Sequence, residues 1–163
     1  MRTFNQQSAI IALELQQLVA EFAYEVDTNA SRNITQYYAE DGVFAVGDFT
    51  RKGHAEIDQF YADGAARAAA MCKDGIRIRW HTFVNLRFDV EDDDNATVCF
   101  TNVHYTGEGA IPVRGPISPA MVTDCRMVCR READGLWRIT LFDGTPLFVD
   151  DSDGISGAAL LKS

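Results

Sequence analysis

The sequence predicts an α+β fold in which helices cover one face of a curved antiparallel sheet. Three observations carry that prediction. Apolar residues recur at helical spacing up to Met71, they alternate with polar ones at strand period from Gly75 onward, and turn signals at Glu91-Asp92-Asp93-Asp94-Asn95 and Ala133-Asp134-Gly135 divide the second part into hairpins. Helices first and strands afterwards is the order of an α+β domain rather than of a parallel α/β sheet.

Each element has its own justification. Ile11, Leu15, Leu18, Phe22 and Val26 form one apolar stripe, and no Pro or Gly interrupts the stretch from Ser8 to Asp27, so a long helix is expected there. Glu14, Glu21 and Glu25 share a second face, expected to be solvated. Thr28-Asn29-Ala30-Ser31 breaks the helix, and a short second helix is expected through Ile34, Tyr37 and Tyr38. Asp41-Gly42 reads as a turn before a first strand at Val43–Val46. An Ala-rich helix follows from His54 to Met71, anchored by Ile57, Phe60 and Tyr61. Further strands are expected over 76–90, 96–106, 120–131 and 136–142, with a Gly- and Pro-containing connection over 107–119. Residues 1–148 are read as one domain and 149–163 as a mobile tail.

Composition narrows the function. The chain has 163 residues, 24 carboxylates against 15 Lys and Arg, and a net charge of −9. That balance disfavours nucleic acid and anionic membranes as partners. No apolar run approaches the roughly 20 residues of a membrane-spanning helix, and the N-terminal residues do not resemble a secretion signal, so a cytoplasmic location is expected. Cys72, Cys99, Cys125 and Cys129 do not have zinc-site spacing. Alternation places Met121, Thr123, Cys125, Met127 and Cys129 on one face of a strand, which reads as an apolar face with inert thiols. No metal and no cofactor is expected.

The candidate chemistry lies with the histidines. His54 opens a helix in polar surroundings and reads as an exposed terminus residue; His81 and His104 lie within strands. Asp27 lies roughly 200° around its helix from Glu25, away from the acidic face and flanked by the small residues Ala20 and Ala23. An inward carboxylate requires a partner, and a strand histidine answers that need: the carboxylate accepts from one ring nitrogen and leaves the other as a base.

Four runs carry a family resemblance: Tyr24-Glu25-Val26-Asp27, Tyr37-Tyr38-Ala39-Glu40-Asp41-Gly42-Val43-Phe44, Trp80-His81-Thr82-Phe83-Val84-Asn85-Leu86-Arg87 and Asp134-Gly135-Leu136-Trp137-Arg138-Ile139. Together they resemble the SnoaL-like branch of the nuclear transport factor 2-like superfamily, which is similar to scytalone dehydratase and the hexachlorocyclohexane dehydrochlorinase. The resemblance implies a cone-shaped roll in which three N-terminal helices close the sheet around a deep pocket. It also implies that Asp27 orients His81 and that His104 occupies the place of a second active-site histidine. The groups that define either known reaction are not matched: Val26, Phe22, Phe142 and the stretch from Phe44 to Val46 stand where those enzymes carry reactive or charged side chains.

The implied function is a cofactor-independent lyase or isomerase, dehydratase-like, acting on a small hydrophobic or polycyclic molecule. His81 would be the base, Asp27 its orienting partner, and His104 would polarise a carbonyl or protonate a leaving hydroxyl. Tyr24, Phe44, Phe60, Trp80, Met127 and Phe142 are expected as pocket walls. The alternative is a non-catalytic binding or assembly module on the same fold. One conflict stands out: Ile76, Ile78, Trp80, Thr82, Val84, Leu86 and Phe88 share one parity of their strand, and His81 has the other. A bulge would turn His81 inward; alternatively both faces are covered, the outer one by a second subunit. A homodimer through the sheet is expected, with a trimer as the other arrangement.

Overall fold

The computed structural model describes residues 3–150. Helix α1 spans Gln6–Thr28, strand β1 Tyr38–Val46, β2 Phe49–Lys52, helix α2 Gly53–Met71, and strands β3 to β6 Arg77–Val90, Asn95–Glu108, Met121–Arg131 and Trp137–Val149. The six strands form one sheet in the order β2-β1-β6-β5-β4-β3.

Helix α1 begins at a reciprocal cap, with Ser8 N–H donating to Asn5 Oδ1 at 2.8 Å and Asn5 N–H donating to Ser8 Oγ at 2.9 Å. Its stripe of Ile11, Leu15, Leu18, Phe22 and Val26 is buried as the spacing predicts. The acidic face is not simply solvated. Glu25 is 7% exposed, and its carboxylate accepts from Asn33 N–H and from the Asn29 amide. Those bonds tie down a loop in which Ala30 and Ser31 both take positive φ. Glu14 accepts from Trp137 Nε1 at 2.9 Å and from Arg131 at 2.7 Å, which pins α1 to the last hairpin. The Trp137 hydrogen bond holds its carboxyl below the usual range.

The short second helix expected through Ile34, Tyr37 and Tyr38 is a single 3-10 turn, Ile34–Tyr37, so two α-helices cover the sheet. Asp41-Gly42 lies inside β1 at a register shift rather than at a turn. A Cβ at Gly42 would lie 2.9 Å from the carbonyl oxygens of Ala39 and Ile139, so the kinked strand can approach β6 only with glycine there. β1 runs parallel to β6, with Phe44 opposite Phe142, which corrects the purely antiparallel expectation. The pairing joins the ends of the chain, where no tight turn dictates direction. β2 escaped the sequence reading because Phe49-Thr50-Arg51-Lys52 is short and polar. It pairs with β1 as an edge hairpin.

Strand β6 continues past Phe142 to Val149, passing Pro146 at an irregularity in its pairing with β5. Asp150 N–H donates to Ala120 O at 2.9 Å, so the sheet includes the first residues of the expected tail. The rest of that tail lies outside the described residues.

The parity conflict in β3 is resolved by a bulge. The pairing with β4 shifts by one residue between Val84 and Arg87, and Asn85 has φ +58°. His81 and Phe83 therefore face inward before the bulge, and Leu86, Phe88 and Val90 pack on the core after it. No helix of the described residues is long and apolar enough to cross a membrane.

Candidate active site

The inner face of the sheet is filled at one end and open at the other. Val98, Phe100, Met127, Cys129 and Ile139 pack against α1 and leave no space. Beyond them a cavity of about 300 Å³ is enclosed by α1, α2, β1 and strands β3 to β6. Its apolar walls include Phe22, Phe44, Phe60, Phe83 and Phe142, several of them stacked on one another. Exposed Ala65, Arg67 and Gly75 also line it, which places the opening beside the second half of α2.

Three strands contribute a polar floor. Arg77, Arg79 and His81 project from β3, Asn102 and His104 from β4, and Thr123 from β5. Alternation explains the grouping, since each strand supplies residues two apart on the inner face. His81 lies opposite His104 in register, and Asn102 opposite Thr123.

Asp27, in the last turn of α1, reaches His81 twice. Its Oδ2 accepts from the His81 backbone N–H at 2.8 Å, and its Oδ1 lies 2.6 Å from the His81 Nδ1. β3 is an edge strand, so its outward backbone donors require partners from elsewhere. The Asp27 side chain is 4% exposed and that of His81 is 14% exposed. With Nδ1–H donating to the carboxylate, Nε2 is the nitrogen that remains to take a proton.

His104 stacks on His81 with ring centroids 4.2 Å apart and planes 6° from parallel. Burial, reinforced by the charges of His81, Arg77 and Arg79, depresses its pKa to about 2. It is therefore a neutral ring at physiological pH, able to share one N–H and unable to act as an imidazolium acid. Arg79 lies in the same floor, half-buried, and burial lowers its pKa. Tyr61, from α2, is half-buried near it, and burial raises its phenol. Asn102 Oδ1, His104 Nε2 and Thr123 Oγ1 are buried and have no hydrogen-bond partner in the structure.

Phe44, Phe60 and Phe142 line the cavity as expected. Tyr24, Trp80 and Met127 do not. Tyr24 is 68% exposed because it lies opposite Phe22 and Val26 on α1. Trp80 is 56% exposed because alternation sends it to the outer face when His81 turns inward. Met127 is on the inner face but at the packed end, between Val98 and Phe142. His54 is half-buried rather than exposed, with Nε2 3.0 Å from Tyr38 O. Sequence reasoning missed Arg79, Tyr61, Asn102 and Thr123 as cavity residues. The available signal was that Arg79 shares the parity of His81.

Cys125 and Cys129 are buried, and burial pushes each thiol up to about 12. Cys125 reaches the cavity as an unreactive wall. Among the described residues no group of three or more His, Cys, Asp or Glu is placed to hold a metal ion.

Solved structures share this architecture. A protein from Novosphingobium aromaticivorans that carries the provisional name scytalone dehydratase superposes with a TM-score of 0.70 at 12% identity, covering 91% of each chain. A nuclear transport factor 2-like protein with a cystatin-like fold, from the same organism, gives 0.67 at 22% identity, covering 93% of this chain and 95% of its own. ActVI-ORFA from Streptomyces coelicolor gives 0.69 at 15% identity, covering 84% of this chain and 97% of its own. Among curated proteins none matches. The cone-shaped α+β roll is thus shared at low identity, and a family model for the SnoaL-like domain matches residues 8–143, nearly the whole described chain: the protein belongs to the SnoaL-like domain family.

Proposed function

We propose that the protein is a cofactor-independent lyase or isomerase in which His81 is the general base. The observation that carries this reading is the doubly held His81, whose ring and backbone nitrogens both meet Asp27 at the wall of an aromatic cavity. The carboxylate fixes the tautomer with Nδ1–H and stabilises the imidazolium formed when Nε2 accepts a proton from carbon. The electron pair of that C–H bond moves into a conjugated carbonyl or expels a hydroxyl group. In the second case the proton on Nε2 leaves with the hydroxyl as water; in isomerisation it returns to another carbon. Either way the atoms balance within substrate and imidazole.

Neutral His104 helps this cycle, because a second charge 4.2 Å away would oppose protonation of His81. Its N–H and the Thr123 hydroxyl are the donors available to an oxygen that gains charge. The neighbour named as a scytalone dehydratase supports the same reaction class. Self-association through the outer sheet face remains part of the proposal: Thr82, Val103, Val122 and Phe148 form one transverse row there, and Trp80 lies beside it.

The test is exchange in D₂O. Incubating the protein with a panel of aromatic β-hydroxy ketones and following deuterium incorporation by NMR reads proton abstraction directly. The wild type is expected to label at least one compound that it binds, and His81→Ala to lose about two to four orders of magnitude in rate. Undiminished exchange in a folded His81→Ala protein overturns the assignment.

A further inference from the structure

The protein carries a net charge of −9, yet the cavity wall has the opposite character. Arg67, Arg77 and Arg79 line it, and among the described residues no Asp or Glu does. The three differ in depth: Arg67 is exposed, Arg77 and Arg79 are half-buried, and Arg79 is enclosed with His81. Asp27 lies behind the His81 ring, where its oxygens are engaged by the ring and the backbone N–H.

Arg79 is the group whose surroundings do not explain it. A guanidinium has five donors, and the hydrogen bond found for this one goes to Val26 O at 3.4 Å, a long contact. A half-buried cation with spare donors is costly unless an anion completes its coordination. Burial pulls its pKa down, and the Asp27 carboxylate, which makes no hydrogen bond to it, offsets only part of that. The unpartnered polar atoms of Asn102, His104 and Thr123 belong to the same floor. A ligand with polar groups at one end would meet Arg79 and this floor together, and its apolar body would lie among the phenylalanines.

We infer that the cavity binds aromatic molecules bearing an acidic group, a carboxylate or phenolate, and that Arg79 is the residue that selects for that charge. This deepens the proposed function, on which it rests for the identity of the site, by naming the substrate class. Arg79 and His81 are two apart on one strand face, so their Cα atoms are about 7 Å apart. The acid group of a substrate held by Arg79 therefore sits about one ring away from the carbon whose proton His81 Nε2 takes. Arg67 at the opening and Arg77 within it would draw an anion inward past an otherwise acidic surface.

The test compares two isosteres, 2-naphthoate and 2-naphthamide, by titration calorimetry with the full-length protein. The acid is expected to bind at least about tenfold more tightly than the amide. Arg79→Gln should remove most of that preference while changing amide affinity little, and Arg79→Lys should keep part of it. Equal affinities in the wild type overturn the inference. So does a preference that survives Arg79→Gln, which would give Arg79 the structural task of holding the α1 terminus. Should Arg79→Gln not fold, the Lys variant and the wild-type comparison decide, because an acid preference unaltered by Lys contradicts bidentate recognition by Arg79. The two readings fail separately: exchange retained in a folded His81→Ala protein overturns the base and leaves the acid preference standing, whereas wild-type exchange without an acid preference overturns only the charge selection by Arg79.

Discussion

The two halves of β3 are built to different rules although they are one strand. Before Asn85 the inward residues are Arg77, Arg79, His81 and Phe83, and they face a cavity. After it they are Leu86, Phe88 and Val90, and they face packed side chains of the core. β4 repeats the division, with His104 and Asn102 at the cavity end and Phe100, Val98 and Ala96 at the other. β5 does so with Thr123 and Cys125 against Met127 and Cys129. The packed end supplies the apolar burial that holds the sheet to α1. That stability lets the cavity end carry a desolvated arginine and three unpartnered polar atoms, which a filled core would not tolerate. The candidate site occupies the part of the cone that packing does not complete.

The comparison can be tested by removing the residue at which the halves meet. Two residues of β3, Asn85 and Leu86, lie opposite one of β4, so deleting Asn85 makes Phe83 and Leu86 two apart and lets simple alternation hold with both halves on their present faces. The Leu86–Val90 half is tied to β4 through the tight turn over 91–95, where Asp92 Oδ1 accepts from the backbone N–H groups of Asp94 and Asn95. His81 therefore stays inward and Trp80 outward. The deletion is expected to leave a folded protein that retains exchange activity. Circular dichroism and the deuterium-exchange assay check it, and a folded deletion variant without activity contradicts this account of the bulge.

A more local break is Asp27→Asn. The neutral amide keeps the shape but can turn its NH₂ toward His81 Nδ1, which then accepts. The proton moves to Nε2, the position needed for the base, so the tautomer is wrong for catalysis. Exchange activity should fall by about two to four orders of magnitude, close to the loss from His81→Ala. Because Asn can still accept from the His81 backbone N–H, thermal stability should change far less. A variant with wild-type exchange would show that the carboxylate serves the fold alone.

Much of this division was legible in the sequence, and the exceptions have physical reasons. The long helix, the two strand-joining turns and the buried face of β5 followed from periodicity alone. So did the argument that Asp27 needs a partner, and the structure supplies His81. Burial at Glu25 was not legible, because its partners are a backbone N–H and an amide in a loop of unusual φ. Tyr24 and Trp80 were placed by residue type, large and aromatic, when their positions on helix and strand send them outward. Met127 was placed on the correct face, but sequence does not say where along a strand packing stops and space begins. Arg79 was passed over because a charged residue inside a strand reads as solvent-facing unless its parity with His81 is taken seriously.

A third measurement sharpens the comparison through protons. His104 and Phe100 occupy equivalent inner positions on β4, but only the cavity end carries a titratable group. In the folded protein His104 has a pKa of about 2, far below the value near 6.5 of an unfolded histidine. Between these values the unfolded chain binds a proton that the folded one does not, so stability is full above about pH 6.5 and falls as the pH drops below it. The loss from this group is at most about 1.4 kcal/mol per pH unit. Urea unfolding at pH 7 and pH 5.5 should therefore show a steeper acid loss for the wild type than for His104→Gln, whatever the shared contribution of the carboxylates. Parallel losses would mean that the folded protein accommodates a charged His104.

The smallest expected effect tests the bulge without removing it. Asn85 sits at φ +58°, in the left-handed region that asparagine tolerates better than most residues and glycine adopts freely. Asn85→Gly should leave stability within about 1 kcal/mol of wild type, because relief of the backbone conformation offsets the greater freedom of the unfolded chain. Asn85→Val should cost about 1–2 kcal/mol, since a β-branched side chain is disfavoured at positive φ. The variants differ in one further respect. If the bulge only stores a change of parity, both keep His81 facing inward and both retain exchange activity in proportion to the folded fraction. If Val instead drives the strand back to regular pairing, activity falls beyond what the lost stability accounts for, and the His81 resonances move. Matched urea midpoints for Gly and Val would show that the packing on either side, not the residue at the hinge, holds the two halves of β3 on their separate faces.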